Sequence, residues 1–351
     1  MSVRNTGRIK IILVGYGSQG SRIAEAISAQ PDFKLLGIGL KEPDLSARTA
    51  SRRRYPIYAM SGEDVDRFRE ARILVQGSLS KVLPDADVVV DATPGGVGKK
   101  NKQDIYSKYN AKCIFQAGEP LKVADVQAFM STVNYEDATK SDSVRIPSPV
   151  TVSLMRTLKP LDDEFVVKQA ACTLIQSGPE PTSGHSGHVE ALTLDRPYGE
   201  QTVLHEELQR MFSKNLLFTS LTVPSVPLGV QAVAVDLERK VSAEQVINLL
   251  SKTQRVILIK RGVKLNSPKA VYEYVRRISR ASIGVYELCV WHEHVETAGD
   301  RLKLVQAFDP HCVQTPEIMD AIRALASEME MQESFDLTNK ALRLLTPGIY
   351  S

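Results

Sequence analysis

Cysteine is scarce in this chain. Four occur in 351 residues, Cys113, Cys172, Cys289 and Cys312, and no two stand close enough to form a CxxC pair. That scatter speaks against a disulfide framework and a structural zinc site, and the four read as small buried hydrophobes in a reducing compartment. An excess of one charge is lacking too: 44 Lys and Arg face 41 Asp and Glu, leaving a formal +3. The densest basic run is only Arg52, Arg53 and Arg54. It reads as a solvated helix end, and no nucleic-acid partner is implied. No stretch approaches the roughly 20 apolar residues of a membrane span, and residues 1–7 lack the apolar run of a signal peptide. The expectation is a cytoplasmic protein with no membrane partner.

Hydrophobic residues at 43% and charged residues at 24% are those of a soluble globular protein. The length suits two domains. Through residue 135, short apolar runs alternate with helix-like segments, the pattern of a parallel sheet with crossover helices. Strands are predicted at 8–14, 33–39, 88–92 and 112–116, with helices at 21–30, 62–71 and 99–108. Ser61 and Asp64 have the spacing of a capping box at the start of the second helix. A polar stretch, 135–143, and the Pro-punctuated Ile146-Pro-Ser-Pro149 then mark a boundary. Beyond it the predicted helices are 150–158, 204–212, 243–253, 267–280, 315–329 and 333–345. Strands at 164–175, 216–223, 230–237 and 285–291 suggest an antiparallel sheet with helices on one face. Residues 176–188 read as an exposed loop. The resulting fold class is α/β.

The first predicted strand runs directly into Gly15-Tyr16-Gly17-Ser18-Gln19-Gly20. GxGxxG between a strand and a helix is the arrangement of a dinucleotide site: Gly15 for the tight turn, Gly17 for approach of the pyrophosphate, Gly20 for close helix packing. About 20 residues on, an NAD site places an acid at the end of the second strand. Here stand Lys41, able to pair with a 2′-phosphate, and Glu42. The cofactor is NADP or NAD, with NADP favoured.

Several motifs resemble the archaeal-type glyceraldehyde-3-phosphate dehydrogenase family: Val14-Gly-Tyr-Gly-Ser-Gln-Gly20, Pro43-Asp44, Asp87-Val-Val-Val-Asp91 with Thr93-Pro94, Gly98-Lys-Lys-Asn101 and Phe115-Gln-Ala-Gly-Glu119. Val223-Pro224, Tyr286-Glu-Leu-Cys-Val-Trp291 and Thr338-Asn-Lys-Ala341 continue the match to near the C-terminus. The resemblance implies a Rossmann domain plus an α+β catalytic-type domain with a mixed or antiparallel sheet. It also implies a homotetramer and a cofactor cleft that includes Thr93, Pro94, Gly118 and Asn339, with Lys99, Lys100 and Lys102 beside it. The corresponding division is 1–143 with 312–351 returning to it, and 144–311.

The resemblance falters in the catalytic half. Where the family carries serine, catalytic cysteine, asparagine and threonine, this chain has Ser148, Pro149, Val150 and Thr151. The family's histidine pair corresponds to Glu200 and Gln201, with His205 close by under a shifted alignment, and its phosphate-binding arginines to Gln176 and Ser177. A thioester route needs a thiolate with a base beside it. His185 and His188 on a glycine-rich loop, and His292 and His294 flanking Glu293 in a strand, define no metal site. Three functions follow for a small-molecule substrate left unidentified. They are a non-acylating oxidoreductase with His185, His188, Glu200 or His205 as proton donor, a non-catalytic NAD(P)-binding scaffold, or a phosphorylating dehydrogenase under a different alignment.

Overall fold

The computed structural model describes residues 7–177, 193–194, 203–224, 227–260, 264–278 and 284–350. The chain divides into two units, Met1–Ser148 with Thr315–Leu342, and Pro149–Gln314 with Arg343–Ser351.

In the first unit the run Ile-Lys-Ile-Ile-Leu-Val forms β1 (Ile9–Val14), buried at all but Lys10. Then come α1 (Ser18–Ala29), β2 (Phe33–Leu40), α2 (Leu45–Arg52), β3 (Ile57–Ala59), α3 (Asp64–Glu70), β4 (Val88–Asp91), α4 (Val97–Asp104), β5 (Lys112–Phe115), α5 (Ser131–Thr139) and β6 (Ser143–Arg145). Continuous apolar runs such as β4 are what a sheet covered on both faces demands. The strands are parallel in the order β3-β2-β1-β4-β5-β6. That is the doubly wound dinucleotide-binding order, with its switch point between β1 and β4. The predicted Ser61–Asp64 capping box is present, each backbone N–H donating to the other's side chain at 3.1 and 3.2 Å.

The second unit begins with α6 (Pro149–Phe165), longer than the predicted 150–158 because it continues through Pro160. Glu164 and Phe165 therefore end a helix instead of opening a strand, and Val166 at φ 57° breaks it. There follow β7 (Val167–Ser177), β8 (Thr193–Leu194), α7 (Val203–Met211), β9 (Asn215–Val223), β10 (Gly229–Leu237), α8 (Ala243–Leu250), β11 (Val256–Ile259), α9 (Pro268–Ile278), β12 (Leu288–Trp291), β13 (Glu296–Ala298) and β14 (Arg301–Phe308). Helices α10 (Thr315–Ala326) and α11 (Met331–Leu342) return to the first unit, and β15 (Gly348–Tyr350) closes the second.

The second sheet is mixed, not purely antiparallel: its order is β15-β11-β12-β14-β10-β7-β9-β8, with β13 beside β14. The pairs β11–β12, β11–β15 and β7–β9 are parallel. Nor are helices confined to one face, since every residue of β11 and β12 is buried. The division also differs from the sequence expectation. It falls at Ser148/Pro149, and residues 312–314 and 343–351 belong to the second unit. Val313 is held there by its carbonyl, which accepts from the Arg156 guanidinium at 2.8 Å, and the last residues by the pairing of β15 with β11.

Arg323 on α10, fully buried, ties the returning helices to the first unit. Its guanidinium donates to both Asp32 oxygens and to Gln30 and Thr338, at 2.6–2.8 Å. Among the described residues no helix is long and apolar enough to cross a membrane.

Candidate dinucleotide site and the start of α6

The loop between β1 and α1 is fixed by backbone. Gly15 sits at φ 90°, and a Cβ there would lie 2.9 Å from the Ala92 carbonyl oxygen. A Cβ on Gly20 would lie 2.3 Å from the Gly15 oxygen. Both positions therefore require glycine. Gly17 is different: nothing lies within 4 Å of a Cβ built on it, so open space stands over the loop. Helix α1 starts there with no side-chain cap and no acid in its first turn. An uncapped helix start presents backbone donors and the positive end of its dipole, the arrangement that suits an anion.

Helix α4, after β4, lacks this capacity. Its first turn is already filled by the buried Glu119 carboxylate, which accepts from Gly98 N at 2.7 Å and Lys99 N at 3.0 Å. Of the two helix starts flanking the switch point, only that of α1 offers donors to a phosphate. Ser18 and half-buried Gln19 stand in that first turn. Arg22 folds back onto it, Nη1 donating to the Ser18 carbonyl at 2.8 Å. The Tyr16 ring packs edge-on to Tyr55 at 5.9 Å, with a buried hydroxyl that has no hydrogen-bond partner among the described residues. Burial raises its pKa, reinforced by Tyr55. The residues present fit a dinucleotide pyrophosphate.

Around this loop buried side chains set the neighbouring turns. Asp91 accepts from Thr93 N at 3.0 Å, Asn101 Nδ2 at 2.9 Å and the Tyr106 hydroxyl at 2.6 Å. Pro94 follows exposed, and Gly118 lies against Gly95, a Cβ on it reaching 3.2 Å from Gly95 Cα. Lys102 donates to Val123 O at 2.7 Å and Ser143 Oγ at 3.1 Å, a structural role, whereas Lys99 and Lys100 are exposed. Asn339 is half-buried on α11. Past β2, Lys41 is exposed, and Glu42 is gripped by Arg67 of α3.

The start of α6 is built otherwise. Pro149 is its first helical residue, where a missing N–H costs no helix bond. Beneath the first turn lies a polar shelf. The Thr151 hydroxyl donates to Glu207 Oε2 at 2.8 Å, both residues being buried. Gln231 and Gln306, paired across β10 and β14 and fully buried, donate to the Val150 and Ser153 carbonyls at 3.2 and 3.3 Å. The Gln306 amide also donates to Gln231 Oε1 at 2.6 Å. Local pattern marks none of Glu207, Gln231 and Gln306 as functional. The readable signal is a glutamine at an inward-facing strand position otherwise filled by Val and Leu.

All four cysteines are buried and none is in a disulfide. Burial pushes the Cys113 thiol up to about 12, and those of Cys172 and Cys289 well above the usual thiol range. His205 is half-buried on α7, two residues from Glu207. Gln176 and Ser177 end β7, paired with Thr222 and Val223. His292 and His294 lie on a 3₁₀ turn, not in a strand, because β12 ends at Trp291. His185, His188, Glu200 and Gln201 lie outside the described residues. Among the described residues no group of three His, Cys, Asp or Glu is arranged to hold a metal.

Glyceraldehyde-3-phosphate dehydrogenase of Thermococcus kodakarensis is 35% identical over 339 residues, covering 96% of this chain and 99% of that protein. The enzyme of Pyrococcus furiosus is 34% identical over 342 residues, with the same coverage. The chain belongs to the glyceraldehyde-3-phosphate dehydrogenase family. The relative from Methanobacterium bryantii agrees at 34% over 332 residues, 94% of this chain and 98% of that one. No family model matches the chain. Among solved structures, aspartate semialdehyde dehydrogenase II of Vibrio cholerae, complexed with ASA, superposes with a TM-score of 0.64. It covers 91% of this chain and 97% of its own at 14% identity, a likeness of fold. The glycine loop and the mixed second sheet of this family member thus sit in a dehydrogenase architecture.

Proposed function

We propose that this family member is an NADP- or NAD-binding oxidoreductase that moves hydride without a thioester intermediate. The observation that carries the reading is the thiol inventory. Pro149 begins α6 where the family resemblance places the nucleophile, and all four cysteines are buried. A thiolate nucleophile must be accessible and of lowered pKa, the opposite of what Cys113, Cys172 and Cys289 show. Pro149 also lacks the backbone donor that an oxyanion at a helix start would use. The bound dinucleotide supplies the hydride acceptor or donor. The chain's part is to hold it on the α1 start, through Gly15, Gly17 and Gly20, and to move a proton at the substrate. Among the described residues His205 is the candidate for that proton, with His185, His188 and Glu200 as the others. Exposed Lys41 supports NADP.

The names of the relatives support a second reading, oxidation of glyceraldehyde 3-phosphate itself. One assay separates the two: purified protein with glyceraldehyde 3-phosphate, inorganic phosphate and NAD or NADP, before and after iodoacetamide. The first reading expects nucleotide binding by calorimetry and no thiol-dependent turnover. Robust turnover abolished by alkylation, with label on one cysteine, overturns it. No nucleotide binding at all favours a scaffold without cofactor.

The assembly belongs to the same proposal: a cytoplasmic homotetramer. At one end of the outward face of β7, β10 and β14, Ile175, Val230, Ala232 and Val305 are apolar yet incompletely covered, Gln169, Asp236, Arg301 and Lys303 make the other end polar, and Leu217 on β9 is 64% exposed. A sheet face of that kind marks an interface. A monomer by light scattering at micromolar concentration would count against it.

A further inference from the structure

The end of β2 holds a second arrangement that the family reading does not use. Gly39 O accepts from Gly15 N at 3.0 Å, so the residues just past β2 emerge beside the glycine loop. Three charged side chains follow. Asp44 is spent as the α2 cap, accepting from Ala47 N at 3.0 Å. Lys41 is exposed and makes no ion pair among the described residues. Glu42 lies in the fork of Arg67, whose Nη1 donates to Oε1 at 3.1 Å and whose Nη2 donates to Oε2. The same Nη1 lies 3.5 Å from Asp64 Oδ1 one turn earlier on α3, and Asp64 accepts from the Ser61 hydroxyl at 2.8 Å.

We infer that Arg67 is a ligand for the 2′-phosphate of NADP, with Glu42 as the carboxylate it releases, so that this pair sets the choice of dinucleotide. The inference rests on the reading that a dinucleotide binds at Gly15 to Gly20. Left alone, a carboxylate at this place accepts the ribose 2′-hydroxyl and repels a 2′-phosphate. Here a guanidinium cancels its charge and occupies both oxygens. Phosphate oxygens match the same planar fork, so a 2′-phosphate and Glu42 compete for one donor pair. The exchange is easy, because Arg67 and Glu42 are about half exposed and such pairs are weak. Asp64, three residues before Arg67 on α3, remains as an ion-pair partner that keeps the guanidinium near the strand end, and Lys41 adds a second positive charge.

Calorimetry of the full chain with NADP and with NAD tests this. Wild type should bind NADP more tightly. Arg67→Ala should weaken NADP by about tenfold or more while NAD changes by less than about threefold, because Glu42 is then free for the 2′-hydroxyl. Glu42→Gln should tighten NADP by about threefold or more and leave NAD unchanged or weaker. This variant carries the test if Arg67→Ala fails to fold. An unchanged NADP-to-NAD ratio in Arg67→Ala, an equal loss of both nucleotides, or weaker NADP binding in Glu42→Gln overturns the inference while the loop reading stands. Wild type that binds neither nucleotide overturns both.

Discussion

Two helix starts in this chain contrast. Helix α1 opens behind Gly15 and Gly17 with no side-chain cap and no acid in its first turn, and open space stands over Gly17. Helix α6 opens on proline, and its first turn is served by buried Glu207, Gln231 and Gln306. The first is specified by backbone alone: φ at Gly15 and the contact at Gly20 admit no other residue. The second is supported by side chains brought from three other elements, α7, β10 and β14. Sterics that the fold itself needs therefore enforce the first helix start, whereas the second depends on side-chain contacts made over long sequence separations.

Glycine variants test the first half of that contrast and carry the largest expected effects. Gly17→Val places its side chain in open space, so the thermal midpoint should not move, while the pyrophosphate loses its approach. Nucleotide affinity should fall by about a hundredfold, or about 2.8 kcal/mol. Gly20→Val drives carbon into the Gly15 carbonyl and should lose both binding and about 1–3 kcal/mol of stability. Equal stability losses in the two would show that the loop is not divided into a steric and a ligand-facing glycine.

Alkaline pH tests the claim that neither region offers a thiolate. Burial raises Cys113 and Tyr135 to about 12 and pushes Cys172, Cys289 and Tyr106 upward as well. These groups are neutral when protonated, and in the unfolded chain they release protons at about 8.5–10. Their contribution to stability is therefore complete below that range and is lost as pH rises through it toward the folded values. Each group contributes a slope of about 1.4 kcal/mol per pH unit within its own window. Urea midpoints should be flat near neutrality and fall steeply above about pH 9. Iodoacetamide near neutral pH should label no cysteine in the native protein and all of them in denaturant. A native cysteine labelled quickly would place a reactive thiol where the structure has none.

A smaller effect is expected at the α6 start. Thr151→Val removes the donor from buried Glu207 at nearly constant volume and should cost about 1–3 kcal/mol in denaturant unfolding. Glu207→Gln retains an acceptor for the Thr151 hydroxyl and should cost less. A neutral Thr151→Val would mean that the carboxylate does not support the first turn.

Legibility in the sequence follows the same division. The β1–loop–α1 unit can be read locally, since an apolar run, three glycines and a helix lie within about 20 residues. The short elements α2, β3 and β6 carry too little pattern. The central strand β14 hides its inward face behind Arg301 and Lys303 outside and buried Gln306 within. The parallel pairing of β11, β12 and β15 is a long-range choice that no local period encodes. Arg67 meets Glu42 across 25 residues, Thr151 meets Glu207 across 56 and Gln231 meets Gln306 across 75. Single residues such as Lys41 were visible; the pairs that give such residues a role were not.

Pro149→Cys probes the second helix start most directly and should change least. Proline at the first helical turn costs no hydrogen bond and restricts the unfolded chain, so its removal should lower stability by only about 0.4–1 kcal/mol. The new thiol would stand half-exposed at the N-terminus of a 17-residue helix, where the dipole favours thiolate. It should be alkylated near neutral pH, unlike the four native cysteines. Reactivity alone does not make an acyl-transfer site, which also needs a base within hydrogen-bond reach and a fork for the substrate phosphate. Glu200, Gln201, Gln176 and Ser177 remain unchanged in this variant, so labelling should appear without turnover of glyceraldehyde 3-phosphate. Turnover appearing with the label would mean that a base is already in place and that the cysteine was the only missing part.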